Sequence, residues 1–236
     1  MVFPTLWHSH PVHRNLRSFL FFGVRNSSRH ASRQAGFSLI ELLVVTGVIA
    51  VISGLMLVSN STFGGQILLQ NLAYDIALTL RQAQVYGISV QRFGTSYGSS
   101  YGMHFDKDSI VYPLFADAVN PNGIYNPDAA HPTDPLYDET VKTTTIGGGF
   151  RITSLCAVLV GASPPTCTSI NSLDIVFKRP DPDACIAING VSSISSPGGV
   201  CTSTYTSARI TVLAPRGNKS SIVVYKNGQI SVEKGK

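Results

Sequence analysis

The longest apolar segment of this chain lies near its N-terminus. Residues 42–58 contain no charged side chain, and no acidic or basic residue occurs between Glu41 and Asp75. Together with residues 37–41 the segment has 22 residues, which as a helix would cover about 33 Å and cross the hydrocarbon core of a membrane. The pattern predicts a membrane-spanning helix.

An amphipathic pattern follows over Gln66 to Val90. Apolar or small residues recur there at steps of three and four, which places them on one face of a helix. These positions are Leu68, Leu72, Ile76, Leu80, Ala83, Gly87 and Val90. No proline interrupts residues 37–90, so the two patterns predict one continuous helix whose weak points are its glycines.

From Gly98 onward, short β-rich runs alternate with Gly, Pro, Asn and Ser, as in strands joined by turns. Alternation around Leu173, Ile175 and Phe177 predicts a strand buried on one face, and Asn227-Gly228 predicts a type I′ hairpin. The predicted strands are Tyr101–Phe105, Ile110–Phe115, Val141–Ile146, Phe150–Val160, Leu173–Lys178, Ala208–Ala214, Ile222–Lys226 and Gln229–Val232. The predicted fold class is α+β, with a long N-terminal helix packed on a mostly antiparallel sheet.

Charge adds an orientation to this picture. The first 36 residues contain five basic residues and no acidic one: Arg14, Arg17, Arg25, Arg29 and Arg33. The rest of the chain has 13 basic and 13 acidic side chains, so the formal charge of +5 belongs to this leader. Basic residues beside a span stay on the cytoplasmic side, which predicts a cytoplasmic N-terminus and an extracytoplasmic head.

The motif Gly36-Phe37-Ser38-Leu39-Ile40-Glu41 joins the basic leader to the apolar run. Glu41 is the only carboxylate of that run, and an unpaired charge there costs about 2–3 kcal/mol, which indicates a function. The motif resembles the leader-processing site of type IV pilins and type II secretion pseudopilins. The resemblance implies that a membrane prepilin peptidase cuts after Gly36 and methylates Phe37. It also implies that Glu41 neutralises the amino terminus of a neighbouring subunit during assembly.

A Sec signal peptide is the competing interpretation of the N-terminal segment. It requires a cleavage site with small residues after the apolar run, and Ser59-Asn60-Ser61 fits that requirement poorly.

The order of parts is similar to the GspH/FimT branch of minor pilins and pseudopilins. The helix ends in a segment like Arg-x-Ala, Arg81-Gln82-Ala83-Gln84, and a strand–Gly–strand hairpin closes the chain. Some FimT-like pilins bind DNA through Gly-Arg-x-Arg, but the matching positions here read Gly228-Gln229-Ile230-Ser231. With both arginines missing and no net charge after the leader, the phosphate attraction that dominates DNA binding is weak. No nucleic-acid partner is predicted.

Four cysteines, Cys156, Cys167, Cys185 and Cys201, all follow the predicted span. An even number beyond an export anchor predicts two disulfides. Three pairings are possible, and Cys156–Cys167 with Cys185–Cys201 is preferred because it closes the shortest loops. A zinc site would need close C-x-x-C pairs, which the sequence lacks.

Residues 116–140 form an acidic segment with five acidic residues, four prolines and no Lys or Arg. The part from Asp117 to Gly123 is similar to a calcium loop, although Ala118 stands where the first Asp should be. If calcium binds, the expected ligands are Asp117, Asn120, Asn122 and Asp128. The alternative is a solvated loop, with no buried acid, that is available to neighbouring subunits.

Gly94-Thr95-Ser96-Tyr97-Gly98 matches the G-x-S-x-G pattern of hydrolases. That elbow needs a strand before it and a helix after it, whereas here a helix precedes and a strand follows. His104 is interpreted as a strand residue, and the chain is predicted not to be an enzyme.

The predicted organisation is a cytoplasmic leader over 1–36, a transmembrane half-helix over 37–62 and an extracytoplasmic head over 63–236, whose helix ends at about residue 90. The predicted function is that of a prepilin, assembled as a minor subunit of a type IV pilus or a type II secretion pseudopilus. Its predicted partners are the prepilin peptidase, other pilin or pseudopilin subunits and the inner-membrane assembly platform. The alternatives are a membrane-anchored binding protein that never polymerises, a DNA-uptake competence pilin and a surface hydrolase.

Overall fold

The computed structural model describes residues 36–132, 134–163, 165–195 and 199–234, without the side chains of residues 58–63. The leader predicted over residues 1–36, with its five arginines, lies outside the described residues except for Gly36. The chain divides between Ile49 and Ala50 into two units, and the second unit contains every strand described below.

One helix, α1, runs from Leu39 to Ile88 without interruption. The continuous helix predicted from the two apolar patterns is therefore confirmed. Its glycines do not break it, because each glycine weakens a helix by only about 1 kcal/mol relative to alanine.

The strands of the head are all paired antiparallel. They are β1 Arg92–Phe93, β2 Ser96–Tyr97, β3 Ser100–Asp106, β4 Val111–Asp117, β5 Thr140–Thr145, β6 Arg151–Leu159, β7 Cys167–Ile170, β8 Ser172–Phe177, β9 Ala184–Ile188, β10 Ile194–Ser195, β11 Val200–Cys201, β12 Tyr205–Leu213, β13 Lys219–Tyr225 and β14 Ile230–Lys234. The first sheet has the order β5-β4-β3-β8-β9 and the second β14-β13-β12-β6-β7. β1–β2 and β10–β11 are separate two-stranded pairs. The α+β fold class is confirmed, with two large sheets in place of the single sheet expected.

The main core is formed by one face of α1 and by side chains from both sheets. On the helix, Leu69, Ala73, Ile76 and Leu80 are buried, whereas Leu68 is 58% exposed. The predicted stripe was therefore wrong at its first position, because the face that meets the sheets is rotated by one residue there. It was also wrong at its last position, since the helix ends at Ile88 and Val90 is 65% exposed. Further along, a Cβ on Gly87 would stand only 2.2 Å from the carbonyl oxygen of Phe177, so the helix approaches β8 too closely for any other residue.

A second, smaller core lies on the other side of the first sheet. Phe115, Val176, Cys185 and Ile194 are buried together, and Tyr125 packs against them. As a result Asp174 and Val176 are buried as fully as their neighbours on β8. The prediction of a strand with one exposed face was wrong, because the segment after β4 and the β10–β11 pair cover that face.

The hairpin between β13 and β14 is confirmed, but its predicted turn type was wrong. A type I′ turn needs a positive φ at both central residues. Gly228 has a φ of 80°, whereas Asn227 is not among the residues with positive φ. The Gly228 N–H donates to the Tyr225 carbonyl at 2.9 Å, and the Tyr225 N–H to the Gln229 carbonyl at 2.9 Å. This three-residue loop ends in a left-handed glycine, as in hairpins that carry a G1 bulge.

Candidate processing and assembly site

Helix α1 begins immediately after the predicted cleavage junction, and Ser38 caps it. The Ser38 hydroxyl accepts a hydrogen bond from the Glu41 N–H at 3.2 Å, and the Ser38 carbonyl accepts from the N–H groups of Glu41 at 3.1 Å and Leu42 at 3.2 Å. Ser38 is the N-cap and Glu41 the third helical residue, which is the Ser-x-x-Glu spacing of a capping box. The sequence analysis missed this role, although the spacing itself was the available signal.

The junction between Gly36 and Phe37 lies in irregular backbone just before that cap. Phe37 is 83% exposed, and no atom stands within 4 Å of the position that a Cβ on Gly36 would occupy. A peptidase can therefore reach the bond without unfolding a helical turn. The cap also fixes where the helix starts, two residues after the bond that would be cut.

Glu41 lies in the first turn of α1, where the positive end of the helix dipole favours a carboxylate. Its side chain is exposed, and the sequence contains no Lys, Arg or His between Gly36 and Arg81. A basic side chain on the following 39 residues therefore cannot neutralise this carboxylate. Arg33, eight residues earlier in the sequence, lies outside the described residues, so once the chain is cut after Gly36 the counter-charge would have to come from an amino terminus or from another molecule.

The first part of α1 is a single apolar surface. Leu39–Leu57 is the one helical segment in the described residues that is long and apolar enough to cross a membrane, and none of it is buried inside the protein. The hydroxyl of Thr46 donates to the carbonyls of Leu42 and Leu43, both at 3.0 Å, so its polar group is satisfied within the helix. This segment fits a single-pass membrane anchor. The boundaries predicted for the leader, span and head stay a prediction.

Two disulfides cross-link the head, and they are the pairs that the sequence analysis preferred. Cys156 on β6 is bonded to Cys167 on β7, with the Cα atoms 5.4 Å apart. Cys185 on β9 is bonded to Cys201 on β11, with the Cα atoms 5.6 Å apart. The first joins neighbouring strands of the second sheet, and the second joins the edge of the first sheet to the β10–β11 pair.

Replacing both Cys156 and Cys167 by serine should lower the free energy of unfolding by about 3 kcal/mol, because the unfolded chain loses a closed loop. Urea denaturation of the full chain in a nonionic detergent measures this difference. The matched control is Ser154→Ala, which removes a hydroxyl from the same strand without opening a loop. Thiol titration of the unreduced, denatured wild type should find no free thiol, and a count of four would contradict the disulfides.

The acidic segment between β4 and β5 is folded around buried carboxylates. Asp117 and Glu139 are nearly inaccessible to solvent. The two oxygens of Asp117 accept the N–H groups of Asn122 at 3.0 Å and Gly123 at 3.1 Å. Glu139 accepts the N–H groups of Val119, Asn120 and Asn126 at 3.0–3.2 Å. The expectation of a solvated loop without buried acids was wrong, because these carboxylates satisfy the backbone of a segment that covers the first sheet.

The predicted calcium ligands are placed in two separate turns. Asp117 contacts the backbone of Asn122, while Asp128 accepts the Ala130 N–H at 2.7 Å and lies 3.1 Å from a ring nitrogen of His131. Asn120 is held through its backbone N–H, and the side-chain oxygen of Asn122 accepts the Ile124 N–H at 2.8 Å. In the described part of the chain no group of three His, Cys, Asp or Glu residues is placed to hold a metal. Calcium binding by these residues stays a prediction.

Burial raises the pKa of Asp117 to about 7, with a further upward contribution from the charge of Glu139, against the lowering effect of the two N–H donors. The folded state therefore holds a proton that the unfolded state releases near its usual pKa of about 4. The free energy of unfolding should fall as pH rises from about 4 to about 7, by on the order of 4 kcal/mol from this group.

Asp117→Asn should flatten that dependence, since asparagine is neutral at every pH. The measurement is urea denaturation of the full chain in detergent across this pH range. Asp181→Asn, at an exposed acid in the head, should leave the slope as in the wild type. An unchanged slope in Asp117→Asn would show that this carboxylate does not carry the proton.

His104 is placed between two carboxylates, an arrangement that the sequence analysis missed. Its Nδ1 lies 2.7 Å from Asp174 and its Nε2 lies 3.1 Å from Asp106. Burial of the ring lowers the pKa of His104, but the hydrogen bond and charge of Asp174, together with Asp106, raise it above its usual value. Asp174 also accepts the Tyr125 N–H at 3.2 Å, so the group ties the acidic segment to the first sheet. His104 is a strand residue, as expected.

The G-x-S-x-G segment does not form a nucleophile elbow. Ser96 pairs with Phe93 in the β1–β2 hairpin, and its hydroxyl accepts from Ser99 at 3.2 Å. Helix α1 precedes this hairpin and β3 follows it, which is the reverse of the strand–turn–helix order that the elbow requires.

Comparison with known protein families gives a match at the N-terminal end of the chain. Residues 31–57 match the model of the prokaryotic N-terminal methylation motif. This is the prepilin-type motif of type IV pilins and pseudopilins, and the match contains Gly36, Phe37, Glu41 and the apolar helix. No curated protein and no solved structure matches the chain significantly.

Proposed function

We propose that this chain, which carries the prepilin-type methylation motif, is a prepilin that is cut after Gly36, methylated on Phe37 and assembled as a minor subunit of a type IV pilus or a type II secretion pseudopilus. The observation that supports it most is Glu41, which lies on an exposed apolar helix as the fifth residue after the junction, with no Lys, Arg or His anywhere in residues 37–80. In an anchor that only holds a domain at a membrane, this carboxylate would favour the start of the helix but would still lack a counter-charge in the apolar layer.

The proposed mechanism of assembly is helix packing guided by charge. The exposed apolar side chains of Leu39–Leu57 would pack against the same segment of neighbouring subunits in the filament core. An unpaired Glu41 costs about 2–3 kcal/mol in an apolar environment, and pairing with the methylated amine of a neighbour removes that cost. Because the charged groups meet only at one axial offset, they set the register between subunits.

The proposed function also implies an orientation of the chain in the membrane and a set of partners. The five arginines of the leader would stay in the cytoplasm, and the cross-linked head would fold on the opposite side, where disulfides form. The proposed partners are the prepilin peptidase, other pilin or pseudopilin subunits and the inner-membrane assembly platform. A minor rather than a major role is inferred from the order of parts that resembles the GspH/FimT branch.

Shearing of filaments from cells tests this function. The mature chain should be recovered in the filament fraction at a small ratio to the major subunit, and it should be absent from that fraction when the assembly ATPase is deleted. A chain that is processed but stays entirely in the membrane fraction would instead be a non-polymerising anchor. A salt-sensitive complex of the chain with DNA would favour the competence role.

A further inference from the structure

Four basic side chains lie at one end of the second sheet. Arg151 begins β6, Lys219 begins β13, Lys234 ends β14, and Arg216 lies in the turn between β12 and β13. Pairing places Arg151 and Lys219 in one row across the sheet, because Leu213 is opposite both. Lys234 is opposite Ser220, one position further along β13, so its side chain leaves the other face of the sheet at the same end. All four are exposed, and we call this group the basic end.

The basic end lies beside the part of α1 that follows the apolar segment. Lys219 and Lys234 line a cavity of about 420 Å³ together with Gln66 and Gln70. An Nη of Arg216 is 3.3 Å from the position that a Cβ on Gly65 would occupy. Gly65 is eight residues after Leu57, which is about 12 Å along a helix. With the apolar segment in the hydrocarbon core, this distance corresponds to the layer of lipid headgroups and the solution next to it.

Three of the four residues of the basic end have no acidic partner among the residues that the structure describes. In the described part of the chain, Arg151, Lys219 and Lys234 have no acidic partner within 4 Å. The acid next to Lys234, Glu233, is paired with Arg209 at 2.9 Å.

The turn between β3 and β4 also lies near the basic end. The Ser109 carbonyl accepts the Ile152 N–H at 2.9 Å, so the turn between β3 and β4 brings Asp106, Lys107 and Asp108 toward this end. Asp106 contacts His104 at 3.1 Å, and residues 106–108 together carry one net negative charge, against the three positive charges of Arg151, Lys219 and Lys234. The basic end therefore stays positive.

Exposed apolar side chains adjoin these charges. Ile67, which lines the same cavity, is 45% exposed, and Leu68, the next residue of α1, is 58% exposed. Basic and apolar side chains together are typical of surfaces that rest in a membrane interface.

We propose that the basic end docks the head on anionic phospholipid headgroups while the chain is anchored in the bilayer. Lys and Arg bind phosphate oxygens through charge-assisted hydrogen bonds. Each Lys or Arg that lies within a Debye length of an anionic surface raises the equilibrium constant for docking about fivefold. The inference requires that the apolar segment is in a bilayer, but it does not require that the chain polymerises, so it can fail or hold independently of the proposed function.

The test is hydrogen–deuterium exchange of the full chain in nanodiscs. One set contains only phosphatidylcholine, and the other contains phosphatidylcholine mixed with phosphatidylglycerol. Amides of residues 147–151 and 214–219 should exchange at least about fivefold more slowly in the anionic discs, an effect that high salt should remove. Amides of residues 226–230, in the β13–β14 hairpin, should exchange equally in both.

A triple variant, Arg151→Ser, Lys219→Ser and Lys234→Ser, should lose the difference between the two discs. The control triple, Arg92→Ser, Lys142→Ser and Lys226→Ser, removes the same charge elsewhere on the head and should keep the difference. Core strands that remain protected in both variants show that each is folded. Equal exchange of the wild type in both discs would overturn the proposal. Protection that depends on the density of chains per disc, whatever the lipid, would instead assign the basic end to contacts between subunits.

Discussion

Gly36→Arg should leave the chain uncut in the membrane, with processing slowed at least about 100-fold. The peptidase has to approach the backbone closely on both sides of the bond, and a long charged side chain prevents that approach. The protein itself should tolerate the change, because open space surrounds the Cβ position of residue 36. Mass measurement of the chain co-produced with a prepilin peptidase would show full-length protein only.

Two glycine variants separate an effect on the peptidase from an effect on the helix. Gly36→Ala should still be cut, but more slowly, because alanine adds only a methyl group. Gly54→Ala, at another glycine with open space around it, should be cut at the rate of the wild type. Normal processing of Gly36→Arg would show that the junction is elsewhere.

Glu41→Val should insert into the membrane at least as well as the wild type, since a group that costs about 2–3 kcal/mol in the bilayer is removed. Its incorporation into filaments should fall by at least about tenfold. The amine of a neighbouring subunit then lacks its counter-charge, and an unpaired charge in the apolar layer costs about as much free energy as the unpaired carboxylate did. Quantitative blotting of the sheared filament fraction against the membrane fraction measures this ratio.

Thr46→Val is the control for Glu41→Val, because it removes a polar group from the same helix. The Thr46 hydroxyl is satisfied by carbonyls of its own helix, so its loss should leave incorporation unchanged. If Glu41→Val enters filaments as the wild type does, the carboxylate has no role in assembly.

Local periodicity predicted much of the fold because long patterns are unambiguous. The helix was predicted from uninterrupted apolar positions and the absence of proline, and all eight predicted strands overlap observed ones. Leu68 was wrongly assigned to the buried face of the helix. It is next to Leu69, which is buried, and only packing against the sheets decides which of the two leucines faces the core. The short strands β7 and β9 have no alternating pattern of sufficient length to be predicted.

Some residues of the candidate site could be predicted from the sequence, and others could not. Gly36, Phe37 and Glu41 were predicted because the motif that contains them is defined by order along the chain. The buried carboxylates and the His104–Asp174 pair depend on contacts between segments distant in sequence; His104 and Asp174 are 70 residues apart. An acidic segment without basic residues favours an exposed position by composition alone. In the structure, backbone N–H groups donate hydrogen bonds to the buried carboxylates in place of water, and composition does not predict these contacts.

The first residue of the membrane-embedded protein tests the assignment as a prepilin most directly. Intact-mass and N-terminal peptide mass spectrometry of the chain, isolated from cells that contain a prepilin peptidase, should give N-methylated Phe37 as residue one, with the first 36 residues absent. A mature protein that still begins with Met1, or one that begins near residue 60 after signal-peptidase cleavage, would contradict the assignment.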